Sequence, residues 1–158
     1  MPIARQASVV LAAFLLSGCF AEASNSNPAE PEFAASETTP DADLESARTF
    51  VESVYQSYID GNGIEAFSAV IAPELLALMG DEYGADPLCA CQDFGDFSYA
   101  IERMEAVDDD VIAEVSFSNF GSGQTVALRL SRTDGEWRVA DIGYPDMPSL
   151  ADALRDGS

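Results

Sequence analysis

The hydrophobic pattern of the chain changes its period once, and this change constrains the fold more than any other feature. Between Leu44 and Tyr58, apolar residues recur at intervals of three and four, as they do on one face of a helix. After Asp93 they alternate with polar residues, as in strands that are buried on one face only. A chain whose helices precede its strands is typical of an α+β domain in which N-terminal helices pack on one face of a sheet.

The helical part of the pattern predicts a long first helix and several short ones. The long amphipathic helix follows Thr39, a residue type that caps helices, has Pro40 in its first turn, and ends before Gly61. Shorter helices are predicted at 64–71, at 73–79 and, after the strands, at 148–155.

The alternating part of the pattern predicts four strands in a curved antiparallel meander. The strands are centred on residues 97–101, 111–117, 126–130 and 137–139. Short turns at 108–110, 121–123 and 134–135 join them, and connections this short require antiparallel neighbours. The phase of the alternation slips near Arg103, which indicates a β-bulge in the first strand.

The first eighteen residues are predicted to be a lipoprotein signal peptide. Arg5 precedes an apolar run at 7–16, which is too short to span a bilayer as a helix. Leu16-Ser17-Gly18-Cys19 resembles the bacterial lipobox, in which small residues before the cleavage site precede the cysteine that receives the lipid. Cys19 is therefore the predicted lipidation site, and several acyl chains there would anchor the protein stably to a membrane.

Residues 19–39 are predicted to be the lipidated cysteine and a disordered tether. The segment is rich in Ala, Ser, Glu, Asn and Pro and has no apolar periodicity, so it cannot bury enough surface to offset the entropy of ordering. A single α+β domain then occupies residues 40–158. By analogy with Gram-negative sorting, Phe20 in place of Asp favours the periplasmic face of the outer membrane as the location.

Composition excludes several classes of function. The chain has a formal net charge of −21, which disfavours nucleic acid as a partner and leaves a basic protein or a small molecule as possible partners. It has no His and no Lys, which excludes Ser-His-Asp and Cys-His machinery, lysine Schiff bases and histidine metal sites. We expect no cofactor and no metal.

Cys89 and Cys91 form a second cysteine-containing motif, and the sequence leaves its chemistry open. An oxidising envelope favours a local disulfide, although it closes too small a loop to add much stability. Buried thiols and redox chemistry are the alternatives. A zinc site would need two further ligands, and the acidic residues nearby do not have a metal-binding spacing.

Several motifs together resemble the YbjP-like family of bacterial envelope lipoproteins, which carries a domain of unknown function. They are the helix with Tyr55 and Tyr58, Asp86-Pro87, Gln92-Asp93, the ending DGEWRVADI at 134–142, and Ser149-Leu150. The resemblance covers about residues 44–156. It implies the cone-shaped fold of the nuclear-transport-factor-two-like (cystatin-like) superfamily, with a pocket between helices and sheet. It also implies Asp86, Gln92 and Asp93 as candidate binding residues.

Three functions are compatible with these features. The first is a non-enzymatic envelope lipoprotein that binds a ligand or partner through the mouth of the cone. The second is an immunity-type inhibitor of a basic toxin, which only the charge favours. The third is an acid–base enzyme that would use Asp93 or Asp141 with a tyrosine, namely Tyr55, Tyr58 or Tyr99.

Overall fold

A computed structural model of the chain describes residues 40–80 and 83–157. The predicted signal peptide at 1–18, and the predicted lipidation site and tether at 19–39, lie outside the described residues. Within the described part, no helix combines the length and the apolar character that a membrane span requires.

In the described part of the chain, three α-helices and one short 3₁₀ turn accompany the sheet. They are α1 (Pro40–Ile59), the 3₁₀ turn (Phe67–Ala69), α2 (Pro73–Met79) and, at the end of the domain, α3 (Leu150–Asp156). Gly80 ends α2 at a positive φ of 65°, a backbone conformation that favours glycine. Ser149 caps α3, since its side chain accepts a hydrogen bond from the backbone N–H of Asp152.

The helix predicted at 64–71 is wrong, because the structure has only the 3₁₀ turn there. The end of this segment pairs with the sheet instead: the N–H of Val139 donates to Val70 O (2.8 Å), and the N–H of Ala72 donates to Val139 O (2.9 Å). Backbone groups that hydrogen-bond to a strand are not free for a helical ladder. The pairing of this segment with Val139 has therefore prevented the helix that the local hydrophobic pattern predicted.

The four strands form one antiparallel sheet in the order of the sequence. They are β1 (Ser98–Val107), β2 (Asp110–Asn119), β3 (Ser122–Thr133) and β4 (Glu136–Gly143). The predicted α+β class is thus confirmed: helices come first, a four-stranded antiparallel meander follows, and a short helix ends the domain.

The turns and irregularities of the sheet agree in part with the sequence pattern. The register of β1 shifts between Ile101 and Arg103, where the bulge was expected. The turn between β2 and β3 lies at Phe120 and Gly121, before the position that the glycines suggested, and both residues have positive φ (50° and 78°). Such values are typical of the tight turns that match the twist of a hairpin.

The core lies between the helices and one face of the sheet. Val111, Ala113, Val115 and Phe117 alternate as buried residues along β2, and β3 repeats the pattern. Helix α1 packs against β1 and β2, whereas α2 and α3 pack against each other and against β4. The helices therefore cover a single face, as the pattern predicted.

Candidate functional site

The loop that carries the predicted binding residues is fastened to α1 by a buried tyrosine. The hydroxyl of Tyr58, which is 2% exposed, donates to Oδ2 of Asp86 at 2.5 Å. The other oxygen of the same carboxylate accepts from the backbone N–H of Leu88 at 2.9 Å. Both oxygens of Asp86 thus have partners inside the protein.

Two further tyrosines bind the backbone of the same loop. The hydroxyl of Tyr55 donates to Leu88 O at 3.0 Å, and that of Tyr144, just after β4, donates to Pro87 O at 2.6 Å. We call Tyr55, Tyr58 and Tyr144 the tyrosine clasp. It connects α1 and the end of β4 to one short stretch of loop, so Asp86 is held from two elements that are distant in the sequence.

Burial sets the protonation of this cluster. Burial and the nearby carboxylate of Asp86 raise the pKa of Tyr55 and of Tyr58 far above the ordinary value, so both hydroxyls remain protonated and act as donors. Burial also raises the pKa of Asp86, although the hydrogen bonds from Tyr58 and from the backbone oppose that shift. The cluster is therefore built to hold hydrogen bonds rather than to release protons from tyrosine.

Cys89 and Cys91 are joined as a disulfide in the same loop. Their Cα atoms lie 5.1 Å apart, Cys89 is fully buried and Cys91 is partly exposed. Backbone hydrogen bonds in both directions between Asp86 and Cys91 close the turn around the disulfide. The disulfide and the clasp therefore hold the same few residues.

The structure separates the other two predicted binding residues from this cluster. Gln92 and Asp93 are exposed. The backbone carbonyl of Asp93 accepts from Nδ2 of Asn119, whose side-chain oxygen accepts from the N–H of Gly95 at 2.9 Å. Asp86 is thus an internal contact, whereas Gln92 and Asp93 face outward on the adjoining stretch. A binding role for these three residues stays a prediction.

None of the hydrogen bonds found among the described residues joins the pairs considered for acid–base chemistry. Asp141 is next to α3, where Oδ1 accepts from the N–H of Ala151 at 3.0 Å and Oδ2 accepts from Oγ of Ser149 at 2.6 Å. The hydroxyl of Tyr99 donates to the backbone carbonyl of Glu52. Within residues 40–80 and 83–157, the carboxylate that accepts a hydrogen bond from a tyrosine is that of Asp86, and its contacts hold a loop in place.

A second site, absent from the sequence-based predictions, is an open groove between α1 and the segment that precedes α2. The volume of this groove is about 790 Å³, within the usual range for small-ligand sites. Its lining comes from α1, from residues 62–70 and from the start of β4. We call it the α1 groove. Its larger apolar lining residues are Phe50, Val54, Ile64, Val70 and Trp137.

Specific contacts hold the walls of the α1 groove in place. Trp137 is 7% exposed, and its indole N–H donates to Oγ of Ser46 on α1 at 2.9 Å. On the opposite wall, the N–H of Gly63 donates to Ser57 O at 3.1 Å. A Cβ atom at Gly63 would lie 2.8 Å from the ring of Phe94, so only glycine allows the backbone at position 63 to lie this close to that ring.

The aromatic residues of α1 and of the sheet region lie in two places. Tyr55, Tyr58, Phe97 and Phe117 contact one another, with ring centroids 4.9 to 6.2 Å apart. Phe50 and Trp137 line the α1 groove, and Trp137 is at the same time a buried member of the core. The periodicity identified these residues as apolar. It did not predict which of them line the groove, because that depends on where the 62–70 segment packs beside α1.

Within the described ranges, no group of three or more acidic, cysteine or histidine side chains is arranged to hold a metal ion.

The residues that sequence reasoning missed are Tyr144 in the clasp and Ile64 and Val70 in the groove. Tyr144 follows β4 in the sequence without any local signal that would connect it to Pro87. Such a contact becomes visible only in three dimensions.

Comparison with known proteins yields a distant structural likeness. No protein-family model matches the chain, and no curated protein matches it. A solved structure of a phospholipid-binding protein from Ralstonia solanacearum, in complex with a phospholipid, superposes with a TM-score of 0.42 and 16% sequence identity. The match covers 72% of this chain and 83% of that one.

Proposed function

We propose that this protein is a non-enzymatic binding module of the bacterial envelope, and that its ligand site is the α1 groove. The observation that carries the proposal is the contrast between the two sites. The clasp around Asp86 uses its polar atoms to hold a loop, whereas the α1 groove is open and combines apolar residues with several polar ones. A concave surface with apolar walls and a few polar groups is the usual form of a small-ligand site.

A direct test uses phenylnaphthylamine, an uncharged dye that becomes fluorescent in apolar surroundings. We expect the purified domain to bind the dye, and the substitution Ala69→Leu to weaken binding several-fold, because a larger side chain would occupy the groove. Ala153→Leu, on an exposed position of α3, is the matched control and should leave binding unchanged. Equal binding by both variants would place the dye elsewhere and overturn the proposal.

We further propose that Cys19 carries the lipid that anchors this module to the periplasmic face of the outer membrane, as in the YbjP-like lipoproteins that the sequence resembles. The lipobox at 16–19 and the short apolar run before it support this proposal.

Metabolic labelling tests the anchor separately from the groove. Cells that express the full chain with radiolabelled palmitate should incorporate label and retain the protein in the outer-membrane fraction. Cys19→Ser should abolish both, whereas Ser17→Ala, which keeps a small residue before the cysteine, should preserve them. Recovery of unlabelled full chain in the soluble fraction would contradict lipidation without bearing on the groove.

A further inference from the structure

The charges of the residues at the rim of the α1 groove restrict which ligands it can bind. Three of them line it: Glu65, Glu136 and Arg138. The guanidinium of Arg138 donates to Trp137 O at 2.9 Å and to the carboxylate of Glu136 at 2.7 Å. Two of the five N–H donors of the one cation in the lining are thus engaged, and its charge is offset by the carboxylate of Glu136.

Glu65 differs from the other two. It is exposed, and it takes part in none of the five ion pairs found among the described residues. The groove therefore presents apolar side chains, a few uncharged polar ones and one carboxylate without a cationic partner. The net charge of −21 adds a long-range field of the same sign, which attracts cations and repels anions.

The dimensions of the groove limit the size of the occupant. Along α1 the lining runs from Phe50 to Ser57, which corresponds to about 10 Å of helix. That length accommodates a compact small molecule, whereas a partner helix of three or four turns would extend well beyond it.

We infer that the α1 groove binds a small amphiphilic cation, whose apolar body contacts the walls beside Trp137 and whose positive head lies near Glu65. The inference rests on the proposed function and adds the chemical class of the ligand. Apolar burial supplies most of the affinity. The carboxylate supplies the preference among head groups, and this preference is modest because Glu65 is exposed.

The test uses three compounds that share one apolar cage and differ in head-group charge: adamantylammonium, adamantanol and adamantane carboxylate. Trp137 is the only tryptophan of the chain and lines both the groove and a neighbouring acidic cavity, so its fluorescence reports binding at either place, and the substitutions below distinguish the two. At low salt we expect the ammonium compound to bind about threefold more tightly than the alcohol and about tenfold more tightly than the carboxylate. Added salt should reduce both ratios.

Two substitutions separate the local carboxylate from the overall field. Glu65→Gln should bring the affinities for the ammonium compound and the alcohol close together, and leave the affinity for the alcohol within a factor of two. Glu74→Gln removes the same charge from an exposed position of α2 outside the groove, and should preserve the preference.

The outcomes distinguish failure of the inference from failure of the proposed function. Binding of the alcohol and the ammonium compound with equal affinity, or a preference that survives Glu65→Gln unchanged, would overturn the inferred ligand class while the groove remained a binding site. No change in the fluorescence of Trp137 with any of the three compounds would overturn the inferred ligand class and, if phenylnaphthylamine also fails to bind, the proposed function as well.

Discussion

At the scale of single residues, Asp86 shows how a motif in the sequence becomes a contact in the structure. Its carboxylate accepts from the hydroxyl of Tyr58 and from the backbone N–H of Leu88. A half-buried acid with two donors is stabilised by hydrogen bonds but loses hydration. Burial is the larger effect on its pKa, which is raised above the ordinary value.

The raised pKa of Asp86 predicts how stability changes with pH. Because the folded state binds this proton more tightly than the unfolded state, the free energy of unfolding increases as the pH falls from neutral toward about 4, the pKa of an unfolded Asp. Each unit by which folding raises the pKa contributes about 1.4 kcal/mol. We expect Asp86→Asn to remove this part of the pH dependence in urea unfolding between pH 7 and pH 4.

The matched control is Asp93→Asn, which removes the same charge from an exposed position of the adjoining stretch. Neighbouring acids also become protonated over this pH range, so only the difference between the two variants isolates Asp86. An identical pH dependence in both variants would show that the burial of Asp86 has no effect on folding.

At the scale of elements, the loop around the disulfide is held by two independent means. Tyr55 and Tyr144 bind its backbone carbonyls, while the disulfide joins Cys89 to Cys91 within it. A disulfide that closes a three-residue loop restricts the unfolded chain only slightly, by an amount equivalent to about 1.5 kcal/mol. The tyrosine hydrogen bonds act on the folded state instead.

We therefore expect Cys89→Ala combined with Cys91→Ala to lower the free energy of unfolding by about 1 to 2 kcal/mol and to leave the loop docked. The amide of Leu88 should stay protected from hydrogen exchange in this variant, because its acceptor on Asp86 is retained. Tyr58→Phe should expose the same amide more often. Loss of Leu88 protection in the cysteine variant alone would assign the docking to the disulfide.

Helix α3 depends on a side chain from β4. Asp141 accepts hydrogen bonds from Ser149 and from the N–H of Ala151, and Ser149 in turn caps the helix. Ser149→Ala should cost about 1 kcal/mol and Asp141→Ala about 2 kcal/mol, as expected for an N-cap and for hydrogen bonds to a charged acceptor.

Since both residues belong to one network, the double variant should cost less than the sum of the two single variants. Asp152→Ala, at an exposed position of the same helix, is the control and should have little effect. Additive losses in chemical denaturation would mean that Asp141 and Ser149 act separately.

At the scale of the whole molecule, excess negative charge is the dominant feature. The chain carries 28 acidic residues and seven basic ones, and only five ion pairs occur among the described residues. Like charges that are not compensated repel one another in the compact state. This repulsion extends over about 10 Å at an ionic strength of 0.1 M.

We expect sodium chloride to raise the melting temperature of the domain by several degrees, with most of the gain below about 0.3 M, because salt screens this repulsion. Calorimetry or circular dichroism at constant pH provides the measurement. An unchanged or lower melting temperature over this range would mean that the surface charges are already compensated by local contacts.

The sequence by itself determined the α+β class, the meander and the bulge in β1. Periodicity and turn residues act locally, and short connections between strands leave little choice of topology. The tertiary structure decided that residues 64–71 do not form a helix, since the backbone of 70–72 bonds to β4. It also decided the clasp on Asp86 and the α1 groove. Both depend on contacts between side chains that are far apart in the sequence, and no local pattern predicts such contacts.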